Sequence, residues 1–383
     1  GMAEHLAEIE AIASQEAAPG FDNTIVALEL SGQMLDRVSR VFFALASAHT
    51  NDDIRALQQE LAPQLSAHQD AILLNRELFA RIDNLYQQRQ ELGLDAESLR
   101  LLERYHTDFI RAGAALTPEQ QDRMKEINSE IAVLETRFSQ NVLSEVNDMA
   151  VTVDSSEELT GLDAARIEAA SNEAEDRDLA GQYVLPLLNT SGQPVLANLQ
   201  NREVRQRILE TSLSRGNRGG DFDNRGVLAE VLRLRAERAQ LLGYDNHAHY
   251  ILENQTAQTV AAVNQRLEDL TGPAMANANR EADDLQQMIY DSGEDFELEA
   301  WDWAYYTERL RAARYDFDAS QLRPYFEVNN VLQRGVFYAA GELYGLRFEE
   351  RFDLPVYQED VRVFEVFDSV GTTPDPANVV APG

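Results

Sequence analysis

The chain has 383 residues with ordinary hydrophobic (44%) and charged (26%) fractions, but its formal net charge of −33 at pH 7 is unusually negative. Such acidity argues against binding to nucleic acids or anionic membranes, because phosphate contacts require a basic surface. The absence of cysteine excludes disulfides and thiolate chemistry, and no stretch approaches the ~18 apolar residues of a membrane span.

Residues 1–148 have the apolar periodicity of long helices, and we expect them to form helical hairpins. The chain does not open with a basic segment and an apolar run, as a signal peptide does, so we expect a soluble, cytoplasmic protein. The spacing predicts a helix over residues 22–48. After Asn51, apolar positions recur every three or four residues as far as Tyr86, which predicts one long helix that Pro63 bends or splits.

The helix that follows residue 117 has a clearly marked start. Thr117 is a good cap residue, Pro118 suits the first helical position, and Gln120 completes a capping box. Apolar residues then recur at helical spacing toward Val146. A shorter helix is predicted before this one, over residues 99–113.

Residues 149–200 differ in character from the helices around them. Residues 149–154 alternate like a strand, and residues 164–175 have the pattern of a short helix. Two further runs, 182–188 and 193–199, flank a turn-forming Asn-Thr-Ser-Gly sequence and predict a β-hairpin. We therefore expect a small insertion of mixed α and β structure within a helical chain.

Helical periodicity returns over residues 201–355. Asp223 or Asn224 caps a helix that Gly243 ends, and a short helix carrying His247 and Tyr250 completes a packed corner. Three more helices are predicted, over residues 260–289 with a kink or restart at Gly272-Pro273, over 301–315, and over 331–343.

Near the end of the chain, β-branched and aromatic residues predict a strand over 361–367, and residues 372–383 have no periodicity and are expected to be disordered. The predicted fold class is mainly α. It is an elongated array of long antiparallel helices with the small β-containing insertion.

Several motifs resemble the thimet-oligopeptidase family of zinc metallopeptidases, and are most similar to its bacterial peptidyl-dipeptidase (dipeptidyl carboxypeptidase) branch. The resemblance extends from about Phe21 to Gly371 and covers the N-terminal portion of the family. The motifs that carry it are FDNTIVALELSG from Phe21, APQLSAH from Ala62, RAGA from Arg111, DN from Asp223, LRAERA from Leu234, LLGY from Leu241, HA from His247, WDWAYY from Trp301, PYF from Pro324 and DVRV from Asp360.

The resemblance implies a helical protein in which two halves enclose a deep channel that admits short, unfolded peptides. The peptidyl-dipeptidase branch releases C-terminal dipeptides and uses zinc. Residues 201–355 of this chain would form part of one channel wall, and residues 356–371 would form the first strand of a truncated catalytic domain.

The catalytic signature of such a peptidase is absent from the sequence. His-Glu-x-x-His places two metal ligands one helical turn apart with a general base between them, but none of the six histidines is followed by glutamate. His247 and His249 point in different directions on a helix, so we expect a structural His247 and a surface His249. We predict no catalytic residue, no metal ligand and no cofactor in this chain, and no activity when it is alone.

Two groups of residues are candidates for contacts with a peptide substrate. Arg215 and Arg218 belong to a segment, residues 202–238, with nine arginines against six acidic residues. Guanidinium groups there would attract peptide carboxylates, or would form structural ion pairs. Trp301, Asp302, Tyr305 and Tyr306 would line the channel, or would be ordinary core residues.

Alternatives to a channel portion remain open at the level of sequence. The chain could be a stand-alone peptide-binding module or pseudo-peptidase. It could also be a scaffold that pairs with a separate catalytic half. Its expected partners are short peptides and such a catalytic half, and not nucleic acid or membrane.

Overall fold

The computed structural model describes residues 1–189, 192–315 and 319–368. The predicted disordered tail and the centre of the predicted hairpin turn lie outside these residues. The described chain is mainly helical, as predicted, and contains two small antiparallel sheets. It divides into two compact units, Gly1–Thr307 and Glu308–Gly383. No helix among the described residues combines the length and apolarity required to cross a bilayer.

Besides the short helical segments Asp22–Val26 and Ala27–Glu29, six helices of 12 or more residues precede the first strand. They are α1 (Met2–Ala13), α2 (Gln33–Ala48), α3 (Asp52–Leu73), α4 (Arg76–Gln87), α5 (Ala96–Ala112) and α6 (Pro118–Asp148). The capping box predicted for α6 is confirmed, because Thr117 Oγ1 accepts from the Gln120 amide at 3.3 Å and Gln120 Oε1 accepts from the Thr117 amide at 3.1 Å. α6 packs against α3 on one side and against a later helix, α9 (Arg225–Leu241), on another.

Two predictions for the N-terminal helices are wrong. The helix expected over 22–48 is interrupted, because Gly32 adopts a left-handed conformation (φ 73°) before α2 begins. The long helix expected as far as Tyr86 is two helices, because the Asn75 side chain accepts from the Leu78 amide at 2.9 Å and starts α4. Pro63 does not split α3, which continues through it.

Within its described residues, the insertion has one strand pair, and not the predicted hairpin. β1 (Ala150–Val153) pairs antiparallel with β2 (Tyr183–Pro186), and α7 (Ala164–Asp176) connects them. The prediction of a strand over 193–199 is wrong, because Pro194–Ala197 form a 3₁₀ turn. Pro194 has no amide proton to donate to a neighbouring strand, which disfavours a ladder there. Around these elements lies a buried cluster that includes Met149, Leu159, Leu187 and Leu199.

Gly161 allows two segments of the insertion to pack with their backbones in close contact. Its φ is +99°, and a Cβ atom there would lie 2.1 Å from the backbone oxygen of Asn198. Gly181 has a similar φ of +91° with nothing within 4 Å of a Cβ atom. We expect Gly161→Ala to be destabilising by clearly more than the matched Gly181→Ala, which costs only about 1–2 kcal/mol for its positive φ. Urea unfolding of both variants tests this, and equal losses would contradict the assigned close approach.

Helices follow the insertion for about 100 residues. They are α8 (Arg202–Leu213), α9, α10 (His247–Leu252), α11 (Val260–Asp291) and α12 (Trp303–Tyr315). Gly243 follows α9 with φ 82°, as predicted. Asn224 precedes α9 but does not cap it with its side chain, which is buried and hydrogen-bonds to Asn141 and to the backbone of Phe138 instead. α11 continues through Pro273 without a restart.

The second unit contains a small sheet with short helical segments before it. Ala319–Phe326 are a 3₁₀ segment, Val328–Asn330 and Val331–Phe337 lead into α13 (Tyr338–Tyr344), and Gly345 ends it. β3 (Leu346–Arg351) and β4 (Val363–Asp368) then pair antiparallel. The predicted strand over 361–367 is thus confirmed with a shift of its start to Val363.

Candidate functional site

The four predicted residues Trp301, Asp302, Tyr305 and Tyr306 lie together at the start of α12, where they meet the first turn of α8. The Asn201 side chain caps α8 by accepting from the Val204 amide at 3.2 Å. Arg202 and Arg205 follow at a spacing of three, so both side chains reach the same side of the helix. We name Arg202, Arg205, Phe296, Trp301, Asp302, Tyr305 and Tyr306 the Asp302 cluster.

The Asp302 carboxylate is fully buried and accepts hydrogen bonds from both arginines. Arg202 donates through Nε at 3.0 Å and through Nη2 at 2.8 Å, and Arg205 Nη2 donates at 2.7 Å. The Glu299 amide adds a bond of 3.2 Å. Its oxygens are therefore occupied by protein donors, and this arrangement stabilises the junction between α8 and α12.

Arg205 is the most constrained member of the Asp302 cluster, with 1% of its surface exposed. Its Nη1 donates to the carbonyls of Leu199 at 3.0 Å and Gln200 at 2.9 Å, and its Nε donates to the Trp301 carbonyl at 3.2 Å. The guanidinium also lies 4.3 Å from the centre of the Tyr305 ring. Each side of this buried cation therefore has a partner, which offsets much of its desolvation cost.

The aromatic rings enclose the two arginines. The Arg202 guanidinium lies 4.2 Å from the Phe296 ring centre and 5.5 Å from that of Trp301. The Tyr305 and Tyr306 rings meet edge to face with centres 5.1 Å apart, and both side chains are buried. Trp301 Nε1 is buried and has no hydrogen-bond partner among the described residues. Contact of these rings with a substrate remains a prediction.

Burial and hydrogen bonding act in opposite directions on the pKa of Asp302. Burial would raise the pKa, because it disfavours the charged carboxylate. The hydrogen bonds from Arg202 and Arg205 outweigh burial and lower the pKa below its ordinary value. Asp302 is therefore ionised at neutral pH and serves as a buried anion.

The structure does not bring Arg215 and Arg218 to the Asp302 cluster. They follow α8, whose 12 residues span about 18 Å from the end that carries Arg202. Arg215 Nη2 donates to the carbonyls of Leu187 at 3.1 Å and Asn189 at 3.3 Å. Arg215 thus connects the loop after α8 to the segment that follows β2.

Arg218 contacts the C-terminal end of α6. Its Nε donates to the buried Glu145 carboxylate at 3.0 Å, and its Nη2 donates to Asp148 at 2.8 Å. Glu145 also accepts from the Gly216 amide. The ion-pair alternative is therefore what the structure shows at Arg218, while contact with peptide carboxylates at Arg215 and Arg218 stays a prediction.

The histidines predicted at the helical corner differ in exposure, and two others form a pair elsewhere. His249 is exposed and His247 is partly buried in the corner between α9 and α10. His68 is buried and its Nε2 lies 3.0 Å from Nδ1 of His5, a partner that the sequence pattern did not indicate. Across the described part of the chain, no three histidine, aspartate or glutamate side chains are grouped so that they could hold a metal ion.

The sequence of this chain is similar to those of known peptidases. Residues 195–374, which include the Asp302 cluster, match the profile of Peptidase family M3. The chain is 40% identical over 371 residues to dipeptidyl carboxypeptidase of Salmonella typhimurium, a match that covers 97% of this chain and 55% of that protein. Identity to dipeptidyl carboxypeptidase of Escherichia coli is 39%, covering 97% of this chain and 54% of that protein.

A second group of relatives is more distant. Oligopeptidase A of Salmonella typhimurium is 28% identical over 371 residues, which cover 96% of this chain and 54% of that protein. The chain spans about half the length of the curated relatives that it matches. Together these matches confirm the resemblance predicted from the sequence motifs: the chain is similar to Peptidase family M3 over residues 195–374 and to dipeptidyl carboxypeptidases over 97% of its length.

Proposed function

We propose that this chain is the N-terminal, substrate-channel portion of a zinc-dependent peptidyl-dipeptidase, and that it does not hydrolyse peptides on its own. The observation that carries the proposal is the alignment with dipeptidyl carboxypeptidase, which covers 97% of this chain but 55% of that protein. Residues 1–148 and 149–200 would support residues 201–355, and these would provide the helical wall along which a peptide lies.

The donor sets in the part of the chain that the structure describes do not fit zinc. The sequence has no His-Glu-x-x-His string, and the described residues contain no group of three possible ligands. We therefore assign no catalytic step to any residue here. In this proposal the metal and the general base belong to the half of the relatives that this chain does not match.

Substrate contact is proposed for Trp301, Tyr305 and Tyr306, with Asp302 holding the rings in place through the two arginines. Arg215 and Arg218 would attract the carboxylate end of a peptide. Tyrosine and tryptophan rings suit a peptide channel because they combine apolar area with a polar edge. A cytoplasmic location is part of the proposal, and subcellular fractionation tests it.

A peptidase assay with added zinc tests the proposal. We expect no release of C-terminal dipeptides from N-blocked tetrapeptides by this chain alone, because it lacks the ligand string. We expect release when the complementary part of the Salmonella dipeptidyl carboxypeptidase, produced as a separate chain, is mixed with it. The matched control is that complementary part alone. Zinc-dependent hydrolysis by this chain without a partner would refute the proposal.

A second candidate is a stand-alone peptide-binding module that acts with no catalytic half. Residues 1–307 form a compact unit, and the Asp302 cluster and the buried hydrophobic clusters in it are completed by residues of this chain. Such a unit does not need a catalytic half to complete its core, which favours this candidate. Saturable binding of short peptides, with no gain of hydrolysis on mixing with any catalytic half, would support it. Copurification of a second polypeptide would support a chain that pairs with a separate catalytic partner.

A further inference from the structure

A cavity of about 310 Å³ lies among α3, α5, α6, α9 and α10, and none of its lining residues belongs to the Asp302 cluster. This size falls at the lower end of the range for small-molecule sites, about 300–1,000 Å³. Met124 and Leu242 contribute apolar wall, while Asp70, Asn128 and Arg238 contribute charged and polar groups. Such a mixture is typical of a site that binds a small ligand in one orientation.

Asp70, on α3, is an incompletely paired buried anion at this cavity. Only 7% of its surface is exposed. Asn128 Nδ2 donates to Oδ1 at 2.7 Å, but Oδ2 is buried and has no hydrogen-bond partner among the described residues. An unpaired buried carboxylate is costly unless a cation completes it.

Arg238, on α9, is the complementary cation. Other arginines around it have carboxylate partners: Arg235 pairs with Glu135 at 2.6 Å, and Arg111 pairs with Glu253 at 2.6 Å. Within the described ranges, Arg238 makes no ion pair, and its Nε is buried without a hydrogen-bond partner. Its Nη1 reaches only Asn128 Oδ1, at 3.4 Å.

The Asn128 amide on α6 stands between the two charged groups. It donates to Asp70 with its nitrogen and accepts from Arg238 with its oxygen, so it keeps the anion and the cation apart by the width of one amide. The Tyr250 ring borders the same cavity, with its centre 5.7 Å from the Arg238 guanidinium. Among the described residues, the cavity wall therefore has one anion, Asp70, and one cation, Arg238, without ion-pair partners, while its other charged residues, Glu135 and Arg111, are already paired.

We propose that this cavity binds a small zwitterion, a free amino acid or a dipeptide, with its ammonium group on Asp70 and its carboxylate on Arg238. A ligand with both charges would complete the two unpaired groups at once, and guanidinium groups bind carboxylates with favourable geometry. A simple anion would leave Asp70 unpaired, and a simple cation would leave Arg238 unpaired. The inference concerns binding and does not rest on the proposed channel function.

Isothermal titration with alanine and with Ala-Ala, in the presence of a chelator, tests the proposal on the full chain. We expect saturable binding of at least one of them. Tighter binding of Ala-Ala identifies a dipeptide site, and tighter binding of alanine identifies an amino-acid site. N-acetyl-Ala-Ala and Ala-Ala-amide each lack one charge, and we expect each to bind at least tenfold more weakly than Ala-Ala.

Variants at the two ends locate the binding. Asp70→Asn should remove the preference for a free amino group, and Arg238→Gln should remove the preference for a free carboxyl group, each with at least a tenfold loss of affinity. Arg225→Gln, at an exposed ion pair with Asp223, is the matched control and should bind as the wild type does. Absence of binding, or binding that neither Asp70→Asn nor Arg238→Gln changes, would overturn the proposal. Peptide hydrolysis by the chain would refute the proposed function and leave this result intact.

Discussion

Asp302→Ala is expected to lower the free energy of unfolding by about 3–5 kcal/mol, because it leaves Arg205 as a buried cation without its carboxylate. Arg205 cannot reach water by a small movement, since 1% of its surface is exposed and its other donors are held by backbone carbonyls. Urea unfolding followed by tryptophan fluorescence measures the loss at this place, since the chain's two tryptophans, Trp301 and Trp303, belong to this segment.

Two further variants test whether the loss of stability comes from the unpaired buried charge of Arg205. Asp36→Ala removes an exposed ion pair with Arg40, in which both side chains are more than half exposed (58% and 60%), and should cost less than about 1 kcal/mol. Adding Arg205→Met to Asp302→Leu replaces the buried pair by apolar groups and should recover much of the loss, because no buried charge at Arg205 is then unpaired. A loss for Asp302→Ala as small as that for Asp36→Ala would contradict the structural role assigned to Asp302.

Asp70→Asn is expected to stabilise the chain by about 2 kcal/mol at pH 8, a gain in the opposite direction to most substitutions. Burial raises the pKa of Asp70 from 3.8 to about 6, against the smaller opposing effect of the Asn128 hydrogen bond. Asparagine keeps an oxygen for that hydrogen bond and carries no charge that burial disfavours. The measurement is the urea midpoint of the variant and the wild type, followed by circular dichroism.

The pH dependence of this gain has a definite sign. Because the folded chain holds a proton on Asp70 more tightly than the unfolded chain does, the wild type gains stability as pH falls from above about 6 toward 3.8. The advantage of Asp70→Asn should therefore be largest at pH 8 and should vanish near pH 4. Asp122→Asn, at an exposed pair with Lys125, should show no such change. An advantage that is constant with pH would refute the raised pKa.

His5 and His68 make stability fall, and not rise, as pH decreases. Both histidines are present in the wild type and in Asp70→Asn. Burial lowers the pKa of each below 6.5, and the charge of His5 lowers that of His68 further. The unfolded chain then binds protons more readily, so their contribution is present above about pH 6.5 and is lost as pH falls below it. The difference between Asp70→Asn and wild type removes this shared contribution and isolates Asp70.

Sequence signals were reliable where the cause lies within a few residues. The capping box at Thr117 and the glycine stop at Gly243 are confirmed, since each depends on backbone groups one turn away. The hairpin prediction over 182–199 failed because strand pairing is decided by distant segments: β2 pairs with β1, about 30 residues earlier, and not with its neighbour along the chain. The long helix predicted as far as Tyr86 ends early because the Asn75 side chain caps α4.

In the candidate site, too, the sequence indicated some residues, and others were found only in the structure. The motif WDWAYY drew attention to Trp301, Asp302, Tyr305 and Tyr306, and the structure does bring these residues together. The sequence did not indicate that Arg205, 97 positions earlier, would pair with Asp302. This pairing depends on packing that buries both charges. Asp70 gave no signal either, since an aspartate beside a helical stripe looks like any exposed one until α6 covers it.

By itself, the sequence determined the mainly helical class, the family to which the chain is related and the lack of a His-Glu-x-x-His string, because each of these is written in short runs of residues. Only the tertiary structure decided which charges are buried, which arginines have carboxylate partners and where a cavity remains, because these depend on side chains that are far apart in the chain and meet only when the helices pack.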